Sequence, residues 1–496
     1  MKYLPGPGVL RRRWITFILI ALVCRGLYFA FQLNESGMTY TPGELCVETG
    51  DTPLYFDPVE NLITNGTYSP DYRMPGVAAP YYLFRQVLDV ADSRDAFVIL
   101  QWLLSGISAY VLALIAVRLS GSDKFGLAVY CAFLLSANTS WFDASLASDS
   151  LAVSMLIFHA YFLQEAVDRK KLGPVLLSGF SLMWLIFLRP IAVPLLLPSA
   201  FLLYRYWNGG RVLRPVLLFL LPFLVCDTVW TLRNHRVNGE FNFLTNQGFQ
   251  PTYFTKEIRY HAMSFIQRYG GNYIWWVPGS DMRWYGIWKG GAELDNEGRS
   301  AKEPPAYAYV PGYNRDSLLI LSDRVRAVEA GGMPTADSLA EVASINATFD
   351  RYAELYGEHA PFNDKVLSRV RMIKNVMFQH GAESIIFRPF SVLPLWIKIF
   401  KALQAVFYIF SYSIGSIAVL VMLWNWRKAD PMLAILLPGT VFYMVLIFPV
   451  ALRMCEWRYM VHSFPFALLL AMYFSMKGLS LLRDRFLPKR AIGPLA

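Results

Sequence analysis

The chain has 496 residues, of which 55% are hydrophobic, 16% aromatic and only 17% charged, well below the roughly 25% charge of a soluble domain. That balance excludes an ordinary water-soluble globule. The net charge of +10 does not point to nucleic acid, because the basic residues stand in short clusters between apolar runs, where they act as topology signals.

A membrane span needs about 20 mostly apolar residues to cross roughly 30 Å of hydrocarbon. Ten segments are candidates: Trp14–Phe31, Ala96–Val117, Phe125–Phe142, Ser150–Leu163, Leu172–Leu188, Ile191–Tyr204, Pro215–Trp230, Ala402–Trp424, Pro431–Leu452 and Tyr459–Met476. The first follows Arg11, Arg12 and Arg13 without a small-residue cleavage site and reads as a retained signal anchor. With the amino terminus inside, every inner connection is basic, from Arg118 and Lys124 through Arg169, Lys170 and Lys171 to the tail with Arg483 and Lys489. Arg189, Arg453 and Arg458 break the trend by standing in outer connections.

Two long segments then fall outside: the first loop, 32–95, and a stretch from Arg233 to Pro394 that is long enough to be a domain. The expected organisation is a membrane module over 1–232, an outer-face domain over 233–394 and a second membrane module over 395–496. Helices are expected over Asp316–Ala330, Ala336–Tyr356 and Phe362–His380. The aromatic stretch Gly270–Trp288 reads as a loop that is an interfacial belt, plain packing or a sugar-stacking surface. The chain shows no internal repeat, and its five cysteines have no metal-ligand spacing; Cys46 and Cys455 would share the oxidising side, which leaves a disulfide open.

No nucleotide cradle, HExxH or GxSxG is present. Instead, charged residues gather at the outer boundary from five connections: Glu48, Asp51 and Asp57; Asp143 and Asp149; Arg189; Arg233; Glu456 and Arg458. Ionisable groups near hydrocarbon are costly enough that function is the first reading. A carboxylate there can act as general base toward a hydroxyl, and arginines can hold and stabilise a phosphate leaving group. Together these are what transfer of a sugar from a lipid phosphate requires.

Several short motifs, taken in order, resemble GT-C membrane glycosyltransferases, namely the bacterial relatives of protein O-mannosyltransferases and lipid A aminoarabinose transferases. They are Asp51-Thr-Pro-Leu-Tyr55, Asn65-Gly-Thr-Tyr68, Arg73-Met-Pro-Gly76, Ser148-Asp149-Ser150, Leu188-Arg189-Pro190, Trp230-Thr-Leu-Arg233-Asn234 and Glu456-Trp-Arg458-Tyr459. Asp51 lacks the adjacent second acid of the protein mannosyltransferases, and 270–394 carries no transferable motif.

The resemblance implies an all-α polytopic GT-C-like fold of about ten membrane helices with a mostly helical outer-face domain. It implies inverting transfer of a sugar from a polyprenyl-phosphate donor to a glycan, lipid or protein acceptor, at the periplasmic face of a bacterial inner membrane. Asp51 and Asp149 would be catalytic; Arg189, Arg458 and Arg233 would contact the donor phosphate; Glu48, Tyr55, Arg73 and Glu456 would support them. Asp149 is alternatively an acceptor-orienting group or a ligand to a divalent metal.

Each residue also has a plainer reading. Asp51 and Asp149 suit helix N-caps, Asp57 and Glu60 solvated helix faces, Arg189 a snorkelling anchor, and Arg458 a salt bridge to Glu456. Arg25 snorkels or pairs with a first-loop acid, or with Asp227, and His159 and His462 read as packed residues in spans. A transporter or flippase of lipid-linked glycans is the alternative function, although the charges crowd one face and no second related half is visible. A non-catalytic scaffold would tolerate loss of Asp51 and Arg189.

Overall fold

Hydrocarbon offers no partner to backbone N–H and C=O groups, so a chain this apolar must satisfy them within each segment. In a computed structural model the described residues form helices and no strand, with two isolated bridges. The structure describes residues 9–35, 45–69, 73–207, 213–239, 241–244, 258–274, 280–287, 303–330, 335–379, 390–425, 435–454 and 456–486. Among the described residues five helices are long and apolar enough to cross a membrane, and three shorter apolar helices accompany them. The chain is therefore an all-α membrane protein.

The helices used below are α1 (Trp14–Glu35), α2 (Thr52–Asn65), α3 (Ala78–Arg85), α4 (Val90–Ser120), α5 (Asp123–Leu135), α6 (Asp149–Arg169), α7 (Leu172–Leu188), α8 (Leu196–Tyr206) and α9 (Leu213–Asn238). They continue with α10 (Ile258–Tyr269), α11 (Arg315–Glu329), α12 (Thr335–His359), α13 (Ser368–Lys374), α14 (Leu395–Trp424), α15 (Leu437–Leu446) and α16 (Phe464–Phe486). Two compact units result: Met1–Asn246 with Phe410–Phe442 and Val461–Ala496, and Gln247–Ile409 with Tyr443–Met460. The border expected at 232 falls inside α9, which runs on to Asn238.

Several spans differ in detail from the sequence reading. Phe125–Phe142 is not one helix, because Ser136 is extended and its hydroxyl accepts from Asn138 N–H, ending α5 and starting a short turn. Ile191–Tyr204 begins as a 3₁₀ turn, Pro190–Leu195, before α8. Pro194 in that turn has no N–H to donate and crowds the preceding carbonyls, which disfavours a regular α-helical start. Residues 431–434 of the ninth span lie outside the described residues, and the rest is α15 followed by a π-turn, Ile447–Ala451.

In the first unit, α4 packs against α1, α5 and α6, α6 against α7, and α7 against α9. Helix α6 is mostly enclosed by protein, whereas α1 exposes most of its length, the expected contrast between a central span and a lipid-facing one. Arg118 near the end of α4 reaches Glu165 of α6 at 2.9 Å and also meets Asp168. His159 of α6 contacts Ser199 of α8 at 3.0 Å and Ser178 of α7, so this buried histidine is polar glue between helices.

The second unit is built on α10, α12 and α13, with α11 packed on α12. The expected helices appear as α11, α12 and a π–α–π run from Asn363 to Gln379. Its core is aromatic: Phe265, Tyr269, Tyr285, Phe349 and Tyr356 are all fully buried. The described part of Gly270–Trp288 belongs to that core, since Tyr273, Met282, Trp284 and Tyr285 are buried. Those aromatics are packing.

The crossing of α7 and α9 depends on one missing side chain. A Cβ on Gly179 would lie 2.2 Å from the Phe219 carbonyl oxygen, so the two backbones can meet only there. Gly179→Ala is expected to destabilise the protein by about 1–3 kcal/mol, whereas Gly173→Ala, in open space on the same helix, should be neutral or slightly stabilising. Thermal unfolding of the two variants in detergent checks the contrast; equal melting temperatures would contradict it.

Candidate functional site

The loop that precedes α2 is tied to the connection before α6 by backbone. Val47 N–H donates to Ala144 C=O at 2.8 Å and Leu146 N–H to Val47 C=O at 3.0 Å. Helix α2 starts beyond this bridge, with Pro53 in its first turn, where a missing N–H costs nothing. The Thr52 hydroxyl donates to Leu146 C=O at 3.0 Å, and the Tyr55 hydroxyl lies 3.1 Å from the Ser148 hydroxyl. Asp51 is thereby set beside the segment that leads into Asp149.

Asp51 occupies the N-cap position of α2, but its side chain makes no capping bond; Thr52 Oγ1 accepts the Thr49 N–H instead. Its Oδ1 stands 3.4 Å from Arg73 Nη2, with 28% of the side chain exposed. Arg73 also lies over the Tyr55 ring, 5.4 Å from its centroid. Arg73 thus joins Asp51 and Tyr55, two residues that sequence alone associated with it.

Asp149 is fully buried at the first position of α6, and the Ser148 side chain does not cap that helix. Arg189, at the end of α7, places Nη2 2.5 Å from Asp149 Oδ1. His462 adds its Nε2 3.6 Å from the same oxygen. The guanidinium, read from sequence as a phosphate contact, is 9% exposed and engaged with a carboxylate. His462 had read as a packed residue; a lone histidine has no spacing signal, and only the fold shows that it faces Asp149.

The other motif segments also converge. Trp184 Nε1 donates to Gly76 C=O at 2.9 Å, and a Cβ on Gly76 would fall 2.5 Å from the backbone of Phe187. The final glycine of Arg73-Met-Pro-Gly76 therefore seats that loop on the end of α7, next to Leu188-Arg189. On the other side of α2, Arg233 of α9 donates to Tyr68 C=O at 2.6 Å, 5.5 Å from the Tyr68 ring centroid and 5.0 Å from that of Trp230. Tyr68, Trp230 and Arg233 line a cavity of about 490 Å³ whose remaining wall is mostly apolar: Val59, Leu62, Pro75, Ala78 and others.

Some expected partners lie elsewhere. Glu48 pairs with Arg94 at 2.6 Å. Asp57 is exposed, as expected, but Glu60 is not a free surface acid: Arg85 Nε at 2.8 Å and the Tyr81 hydroxyl at 2.6 Å bind it, and the Arg85 bond holds its carboxyl below the usual range. Arg25 is fully buried, stacked 4.7 Å from the Phe133 centroid, with Asp143 as its electrostatic partner. Asp227 instead accepts from Leu244 N–H at 3.1 Å. Burial pushes the Asp143 carboxyl up to about 6, against the opposing effects of Arg25 and of the Ser150 hydroxyl 2.6 Å away.

Glu456 is buried and Arg458 half-buried; both belong to the second unit, and Cys455 lies outside the described residues. Among the described residues no group of three His, Cys, Asp or Glu gathers as a metal site. No protein-family model matches the chain, and the search of curated proteins returns no match.

A buried ion pair is costly to break from one side, because the survivor is left charged and unpaired. Arg189→Ala is expected to cost about 3–5 kcal/mol, and adding Asp149→Asn to it should restore part of that loss. Melting temperatures of the single and double variants measure the coupling; simple additivity would show that the pair is not an energetic unit.

Proposed function

We propose that the chain is a GT-C-type membrane glycosyltransferase with about ten spans, which moves a sugar from a polyprenyl phosphate to an acceptor hydroxyl at the periplasmic face of a bacterial inner membrane. The supporting observation is the pairing of motif segments distant in sequence: 51–55 with 148, 73–76 with 184–189, and 65–68 with 230–233. Packing alone does not require the chemistry-bearing segments to be the ones that meet.

In this reading Asp51, partly exposed and only loosely held by Arg73, is the general base. Its carboxylate takes the proton of the acceptor hydroxyl as that oxygen bonds to the anomeric carbon. The bond from that carbon to the phosphate oxygen breaks with inversion, and the lipid phosphate leaves with the electron pair. Arg233 fits the departing phosphate, because its guanidinium stands in the wall of an apolar cavity suited to the lipid beside its headgroup. Arg73 lies between base and cavity, two residues before the cavity residue Pro75. Asp149 and Arg189, buried on each other, position the loop that carries Asp51. Positioning is their role here, and no step passes through a metal.

Asp51→Asn removes the base with little change in shape or packing. Product formation is expected to fall by about 10²–10⁴ with an unchanged melting temperature. Mass spectrometry of lipids copurifying from native membranes should show a polyprenyl phosphate bearing one sugar, enriched in Asp51→Asn over wild type. Unaltered glycan product in the variant would overturn the assignment.

A further inference from the structure

The second unit contains a charge cluster that the transfer chemistry does not use. Asp364 is buried in the π-turn Asn363–Leu367, whose wider coil turns this carboxylate inward beside α10 and α12. Arg268 of α10 places Nη1 3.0 Å from Oδ2, and Arg453 places Nη1 2.7 Å from Oδ1. Arg369 closes the group, with Nη1 donating to the Asp364 carbonyl at 2.9 Å and to the Lys365 carbonyl at 2.7 Å, and Nε to Val450 C=O at 3.0 Å.

Two guanidinium groups therefore grip one carboxylate and a third binds the neighbouring main-chain carbonyls, so that among the described residues of this cluster three cations share one anion. The like charges repel one another, and burial together with Arg453 and Arg268 pulls the Arg369 pKa below its usual value. Each guanidinium carries five N–H donors in a planar fork that matches phosphate oxygens. Arg268 and Arg453 each spend one nitrogen on Asp364 while keeping 34% and 20% of their side chains exposed. Asp364 thus fixes two forks side by side with donors left for solvent or a ligand.

Two further observations single the cluster out. Arg453 has φ 51°, the left-handed region, which costs a non-glycine residue roughly 1–2 kcal/mol; residues held in that conformation concentrate at ligand clamps. Gly357 of α12 also borders the cluster, where an added Cβ would stand 3.5 Å from Arg268 Nη1 and 3.7 Å from Asp364 Oδ2. The absence of a side chain at 357 keeps that side open.

We propose that Arg268, Arg369 and Arg453, held in place by Asp364, form a phosphate-binding site on the second unit. The ligand class is a phosphate oxyanion, carried by a lipid headgroup or free in solution. The site belongs to the second unit, whereas Asp51 and the cavity belong to the first, and its test reads binding alone, so it stands or falls independently of sugar transfer.

The experiment uses the full chain in phosphatidylcholine nanodiscs, followed by melting temperature at an ionic strength held constant with chloride. In one arm inorganic phosphate is titrated; in the other, phosphatidic acid replaces part of the disc lipid with no phosphate added. A saturable rise in melting temperature with phosphate identifies a soluble ligand, a rise with phosphatidic acid alone identifies a headgroup, and no saturable rise in either arm overturns the proposal. Arg453→Gln should weaken the apparent affinity about tenfold, as loss of one charge-assisted contact implies. Gly357→Glu keeps all four ionic side chains and plants a carboxylate among them in a helix that tolerates it; the effect should disappear. Saturable stabilisation retained in Gly357→Glu would also overturn the site, including where Arg453→Gln fails to fold.

Discussion

The constraint on which the first unit depends is the burial of Asp149 against Arg189. An ionised carboxylate enclosed in protein at the start of a membrane helix is tolerable only with a matched cation. That need fixes the start of α6 against the end of α7, and with them the two surfaces that receive the segments on either side of α2. The bridge of Val47 to the 144–146 backbone and the seating of Gly76 on Phe187 are both built on those helix ends. A site laid over two helix ends has rigid supports even though its own residues sit in loops, which is how precise chemistry is usually mounted.

Polarity inside the first unit follows the same economy. Hydrophobic contact gives little preference for protein over lipid tails, so specificity comes from close backbone approach and shared hydrogen bonds. Gly179 against Phe219 provides the first, and His159 with Ser178 and Ser199 the second. Arg25 belongs to this group too: its charge sits on the Phe133 face near Asp143, a pairing that links the first span to the connection before α6. The second unit, by contrast, packs as an aromatic core around Phe265 and Tyr285.

Much of this was legible in the residues themselves. Leu172–Leu188 appears with the bounds its apolar run suggested, because Lys171 precedes it and Arg189-Pro190 ends it. Helices α11 and α12 lie within a few residues of their expected limits, since Asn314 with Ser317 forms a full capping box and Pro334 precedes the second. Segments interrupted by Ser136 or Pro194 were less legible, because hydropathy averages over a break that one backbone angle creates. At the candidate site the motif order named most of the participants but not their pairings. Arg189 on Asp149, Glu48 on Arg94 and Asp143 near Arg25 are choices among many opposite charges at one boundary, made by the fold. His462 and the burial of Tyr273, Trp284 and Tyr285 carried no periodic or motif signal at all.

The sequence separations within the first unit imply an order of assembly. The contacts of Thr52 and Tyr55 with the 146–148 segment span 94 and 93 residues, and the bond from Arg233 to Tyr68 spans 165. Synthesis proceeds from the amino terminus, so the segment that carries Thr52, Tyr55 and Tyr68 is made long before any of these partners exists. Loop-closure entropy grows only slowly with length, which makes such a wait thermodynamically mild but kinetically long. The segment's contacts with Tyr81, Arg85 and Arg94 can form early, but those with the 146–148 segment, α7 and α9 must wait until these have been made. The long-range contacts of the candidate site would consequently be completed late, and shorter nascent chains would lack them.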